Sequence, residues 1–158
     1  MNHILLNDPH NLEFEISIKV NDEIELLFNI NYVEWWDEEY KCKEWFQYGE
    51  PHRLDGPAVV WNDGDKEWWQ YGEPHRLDGP AMVWANGTEA WCQYDKYHRL
   101  DGPAYIDANG YKEWLQDDRL HRLDGPAVVD SDGSEEYWIE GERLTKEEFM
   151  ERTQKIEV

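Results

Sequence analysis

At 158 residues the chain has room for one compact domain or a short capped array of repeats, not for two unrelated large domains. Its 36 acidic against 15 basic residues give a formal charge of -21, a field that repels nucleic-acid phosphate and anionic lipid and favours partners with basic surfaces. A charge of that size favours disorder, but 15% of the residues are aromatic and 10 are Trp, and burying those rings offsets the entropy of ordering.

Met1 to Phe14 holds one short apolar run, Ile4-Leu5-Leu6, with no basic region before it, and nowhere does an apolar stretch approach the roughly 18 residues of a spanning helix. The expectation is a cytoplasmic protein without a membrane segment. Phe14, Ile16, Ile18 and Val20 then alternate with Glu15, Ser17 and Lys19, and Asn21-Asp22 turns the chain into Glu23 to Ile30. Residues 1–31 therefore read as an N-terminal β-hairpin that caps the first edge of a longer β array.

Residues 32–143 are that array, built of repeats. HRLDGPA occurs at His52 to Ala58, His75 to Ala81, His98 to Ala104 and His121 to Ala127, a step of 23 residues each time. Gly64, Gly87, Gly110 and Gly133 form one further column, and Trp68, Trp91, Trp114 and Tyr137 another. Lys43-Glu44-Trp45 matches Lys66-Glu67-Trp68, so a degenerate copy starts near Tyr32 and the array has about five units.

Each unit reads as two strands, for example Ala58 to Trp61 and Lys66 to Tyr71, joined at Asn62-Asp63-Gly64-Asp65, with the heptad as the turn into the next hairpin. Gly64 at positive φ suits a type I′ turn or a three-residue loop, and turn length decides which residues share a face; the three-residue loop, chosen here, puts Ala58, Val60 and Trp68 on one face. That face stays apolar in every copy and is expected to be the core. The opposite face varies: Val59, Met82, Tyr105 and Val128 in one column; Trp61, Trp84, Asp107 and Asp130 in a second; Phe46, Trp69, Cys92, Leu115 and Trp138 in a third.

Residues 144–158 abandon the heptad. Thr145-Lys146-Glu147-Glu148 is a capping box that starts a helix to about Lys155, with Leu144 and Phe149 placed to staple it to the last hairpin. The predicted fold is mainly β, an elongated antiparallel meander or solenoid of repeated hairpins closed by a short C-terminal helix.

The chemistry-bearing residues are spread, not gathered. Units about 10 Å apart keep His52, His75, His98 and His121 from sharing one ion, and the even distribution of His, Arg and Asp over four copies is unlike a catalytic cleft. No catalytic group, metal site or cofactor is expected. Cys42 and Cys92 fall at different repeat positions, too far apart to bridge, and read as reduced thiols.

The variable face carries the functional expectation. Phe46, Tyr48, Trp61, Trp69, Tyr71, Trp84 and Tyr94 cluster toward the N-terminal half, with Asp63, Asp65 and Glu67 among the acids around them. Aromatic anchors with a charged rim are the composition of an interface hot spot, and here they suit a protein with a basic, partly apolar surface. Burial against neighbouring elements is the structural alternative for the same rings. Two other functions stay open: sequestration of a small anion by Arg53, Arg76, Arg99 and Arg122 beside aromatic rings, and mimicry of DNA phosphates by the carboxylates. The arginines discriminate, since pairing with Asp55, Asp78, Asp101 and Asp124 would occupy them.

The D/N-G turn, the aromatic second strand, the HRLDGPA link and the closing segment Tyr137 to Phe149 resemble MORN-like repeat variants of bacteriophage and bacterial proteins, over roughly residues 40 to 150. The resemblance implies a hairpin array and a binding role, such as that of a phage-encoded inhibitor of a host protein or an antitoxin. The Tyr/Gly pattern of MORN repeats linked to membranes and phosphoinositides is not in this sequence.

Overall fold

The computed structural model describes residues 15–19, 25–29 and 33–37 as strands and residues 41–155 in full. The chain is mainly β. A 12-stranded antiparallel sheet, open at both ends, runs in a single row from Val33–Asp37 to Glu142–Leu144, with Glu50–Pro51 paired beside Cys42–Gln47. Val33–Asp37 pairs antiparallel with Cys42–Gln47, so a strand pair precedes the first heptad. Glu15–Lys19 and Glu25–Asn29 form a separate antiparallel pair; the expected Asn21-Asp22 turn of that hairpin lies outside the described residues.

The turns at Gly64, Gly87, Gly110 and Gly133 are the expected three-residue loops. Trp61 N–H donates to the Asp65 carbonyl at 3.0 Å and Gly64 N–H to the Trp61 carbonyl at 3.1 Å, with Gly64 at φ +107°. Val59 opposes Glu67 and Val60 opposes Lys66, and Ala81, of the Ala58 column, packs with Cys92, so the alanines are not confined to a face opposite the Cys92 column as expected.

The second half of the unit differs from the sequence reading. The strand expected over Lys66 to Tyr71 is interrupted at Trp68, and a short return strand follows it, so this unit and the two after it have four short strands each and not two. Trp68 N–H donates forward to Ala81 of the next heptad at 2.7 Å, while its carbonyl accepts from His75 at 2.9 Å. Trp69–Gln70 then pairs with Glu73–Pro74 through a two-residue turn in which Tyr71 and Gly72 both have positive φ, 52° and 74°. Cys92–Gln93 with Lys96–Tyr97, and Leu115–Gln116 with Arg119–Leu120, repeat the arrangement. Backbone bonds from Gly72 to Pro51, Asp95 to Pro74, Asp118 to Tyr97 and Gly141 to Leu120, at 2.9 to 3.1 Å, join these small hairpins into a second hydrogen-bonded row.

The return strands correct the expected core in part, since Ala58, Ala81, Ala104 and Ala127 are fully buried as expected but are not joined there by Val60 and Trp68. These strands set Pro51, Pro74, Tyr97 and Leu120 opposite Phe46, Trp69, Cys92 and Leu115, covering the column expected to be variable surface. Phe46, Val59, Cys92, Leu115 and Val128 are accordingly buried, whereas Val60 and Trp68, expected in the core, are half-buried. Cys92 packs with Ala81 and Ala90, against the rings of Trp84, Tyr97 and Tyr105.

At the C-terminus α1 (Lys146–Gln154) begins at the predicted box: Thr145 accepts from Glu148 N–H, and the Glu148 side chain accepts from Thr145 N–H. Phe149 is buried with its ring 5.0 Å from that of Tyr137, fixing the helix on the last hairpin.

Candidate protein-binding surfaces

The heptad can be accounted for residue by residue. His52 Nδ1 accepts the Tyr71 N–H of the next unit at 3.1 Å, and His75 and His121 accept from Tyr94 and Glu140 in the same way at 3.2 and 3.1 Å. The histidine thus supplies an acceptor to the positive-φ turn of its neighbour, and the His52 and His75 rings pack on those of Tyr71 and Tyr94 at 4.5 and 4.3 Å. Burial pushes the His52 pKa down, which favours the neutral ring whose Nδ1 can accept. His98 departs from this pattern: its Nδ1 lies 3.0 Å from the Asp117 carboxylate, so that nitrogen carries the proton.

Each arginine is held on three sides. The Arg76 guanidinium lies over the Trp68 ring at 4.1 Å, its Nε donates to Asp78 at 2.8 Å and its Nη1 to the Pro80 carbonyl at 3.2 Å. Arg53, Arg99 and Arg122 repeat the set on Trp45, Trp91 and Trp114. The partner aspartates Asp55, Asp78, Asp101 and Asp124 are correspondingly held below the usual carboxylate range by the arginine hydrogen bond. The heptad glycine follows from the same contact, since a Cβ at Gly79 or Gly102 would stand 2.8 Å from the guanidinium carbon. Ala58, Ala81, Ala104 and Ala127 are fully buried and admit nothing larger.

The candidate residues of the variable face divide into three groups. Phe46 is interior, 3% exposed, and is corrected from surface contact to core residue. Trp61, Trp69 and Trp84 are half-buried. The Glu67 carboxylate brings the first two together, accepting from the Trp61 indole at 3.3 Å and from the Trp69 indole at 2.9 Å. Tyr48, Tyr71 and Tyr94 are exposed by 70%, 68% and 67%, one at the return turn of each successive unit. Asp63 sits exposed at the loop tip and accepts from Asp65 N–H, while Asp65 reaches the next unit to accept from Ala85 N–H at 2.6 Å.

The two-residue turns were the missed feature. Tyr48-Gly49, Tyr71-Gly72 and Glu140-Gly141 hold the glycine that marks them in sequence, but the bulky first residue in the left-handed region hides the pattern. Among the described residues no three His, Cys, Asp or Glu converge as a metal-ligating group, and no helix is long and apolar enough to cross a membrane. Both cysteines are buried thiols, and burial with the nearby Asp118 and Asp95 pushes that of Cys92 up to about 12. No protein-family model matches the sequence, and no curated protein matches it either.

Proposed function

We propose that the chain is a non-enzymatic binding protein that engages a protein with a basic surface through its tyrosine turns and the acids beside them. The observation that carries this reading is the exposure of Tyr48, Tyr71 and Tyr94 at equivalent turns in consecutive units. A tyrosine in the left-handed region is conformationally costly, and although the Tyr71 and Tyr94 rings pack on His52 and His75, both stay exposed by 68% and 67%. Glu50 and Glu73 follow two residues after Tyr48 and Tyr71 and are exposed, and exposed Asp95 follows Tyr94, so each of these rings has a carboxylate close by in sequence. Tyrosine faces and carboxylates together suit the Lys or Arg of a partner, through cation–π and ionic contact. The half-buried Trp61, Trp69 and Trp84 add apolar area to the array.

The arginine-based alternative has weaker support, because each guanidinium already has a carboxylate, a carbonyl and an indole as partners. A role as a phage inhibitor or antitoxin, implied by the MORN-like resemblance, is one form of the same binding reading. The test is affinity capture from a bacterial lysate with the wild-type chain and a Tyr48/Tyr71/Tyr94→Asn variant. Asn tolerates the left-handed turn, so the variant keeps the fold while losing the rings. A basic protein retained by the wild type and released by the variant supports the proposal; identical retention by both overturns it.

A further inference from the structure

One heptad position has no explanation within the fold. His, Arg, Asp, Gly and Ala of HRLDGPA each make the contacts described above, and Pro contributes the carbonyl that Arg binds. Leu54, Leu77 and Leu100 make no such contribution: they are exposed by 69%, 74% and 76%, and Leu123 by 42%. Neighbouring columns have diverged freely, as Trp61, Trp84, Asp107 and Asp130 show, yet this leucine is present in all four copies. Beside each leucine stands the aspartate of the Arg pair, with 83% to 86% of its side chain exposed.

We infer that this Leu-Asp row docks a basic amphipathic α-helix of a partner protein, with an apolar residue at every seventh position and Lys or Arg next to that stripe. The inference rests on residues other than the tyrosine turns and stands or falls separately from them. Spacing selects the helix. Each unit adds two strands to the sheet row, a step of about 10 Å, and seven helical residues advance about 10.5 Å. Between Leu77 and Leu100 a cleft of about 540 Å³ opens, lined by Arg76, Trp91, His98 and Arg99 as well as the two leucines. A helix places a second side chain on the same face half a heptad further on, where that cleft lies. An extended strand alternates faces and cannot match the step with every third residue, and a polyproline helix offers one residue per turn on a face and leaves the cleft empty. Charge excludes a second copy as the occupant, since two chains of formal charge -21 repel.

The probe is a fluorescein-labelled helical peptide of about four heptads with Leu at every seventh position and Lys flanking it, titrated by anisotropy with the full chain. Two controls accompany it: a peptide of identical composition with the leucines scrambled, and a Pro-rich peptide with Leu at every third position. Leu54/Leu77/Leu100→Ser should bind the heptad peptide about tenfold more weakly or worse. An unchanged thermal midpoint of the leucine variant shows that the loss is not unfolding. Equal binding of the scrambled or Pro-rich peptide, equal binding by the leucine variant, or no binding of the heptad peptide by the wild type overturns the inference.

Discussion

The Arg76 guanidinium carbon lies 4.1 Å from the centroid of the Trp68 ring and would lie 2.8 Å from a Cβ placed on Gly79. One cation is therefore clamped between an indole of the strand and the backbone of the heptad turn, and the contact recurs in all four heptads. The glycine is required by this close approach and not by its backbone angles, since the heptad glycines are absent from the positive-φ residues.

Replacing Gly79 by Ala should destabilise the chain by about 1–3 kcal/mol, the usual cost of overpacking. The same substitution in an Arg76→Ala background should cost markedly less, because the clashing group is gone. Urea unfolding of the two single variants and the double variant measures this coupling. Additive effects would show that Gly79 is required for another reason.

Phe46 and Tyr48 lie two residues apart and differ in exposure, 3% against 70%. Phe46→Ala should cost about 3–5 kcal/mol and Tyr48→Ala within about 1 kcal/mol. Similar losses in urea unfolding would mean that the return strand does not cover Phe46.

His52 accepts a backbone N–H at Nδ1 and is buried, so its folded pKa lies below the ordinary value. The neutral form is the one the fold stabilises. That contribution is complete above about pH 6.5, the ordinary histidine value, and is lost as pH falls through the lower folded pKa. The urea midpoint should therefore drop between about pH 7.5 and 5.5, and His52→Asn, which keeps an acceptor but cannot titrate there, should flatten the drop. An unchanged slope in the variant would remove His52 as the cause.

Cys92 is buried and its thiol is pushed up to about 12, so almost no thiolate exists at pH 8. Iodoacetamide should label it only after unfolding in urea. Rapid labelling of the native chain, read by mass spectrometry, would contradict the packing of Cys92 under Tyr97.

Much of this architecture is legible in one dimension. The 23-residue step, the Gly64 loop and the Thr145 capping box each depend on a few neighbouring residues with strong local preferences, so the hairpin array and its terminal helix follow from sequence.

Only the tertiary structure decided which face is buried and what the heptad is for. Local preference at Tyr71-Gly72 does not announce a turn, since tyrosine rarely takes positive φ; there the bond from the turn N–H to His52 of the preceding unit supports it. That turn creates the return strand, which pairs beside Phe46, Trp69, Cys92 and Leu115, and three of these, Phe46, Cys92 and Leu115, are buried. Register divides the residues of a strand between two faces, but burial depends on what comes to lie over each face. Here the return strand belongs to the same unit, but its turn is supported by a histidine of the preceding one, a contact that no single repeat encodes by itself.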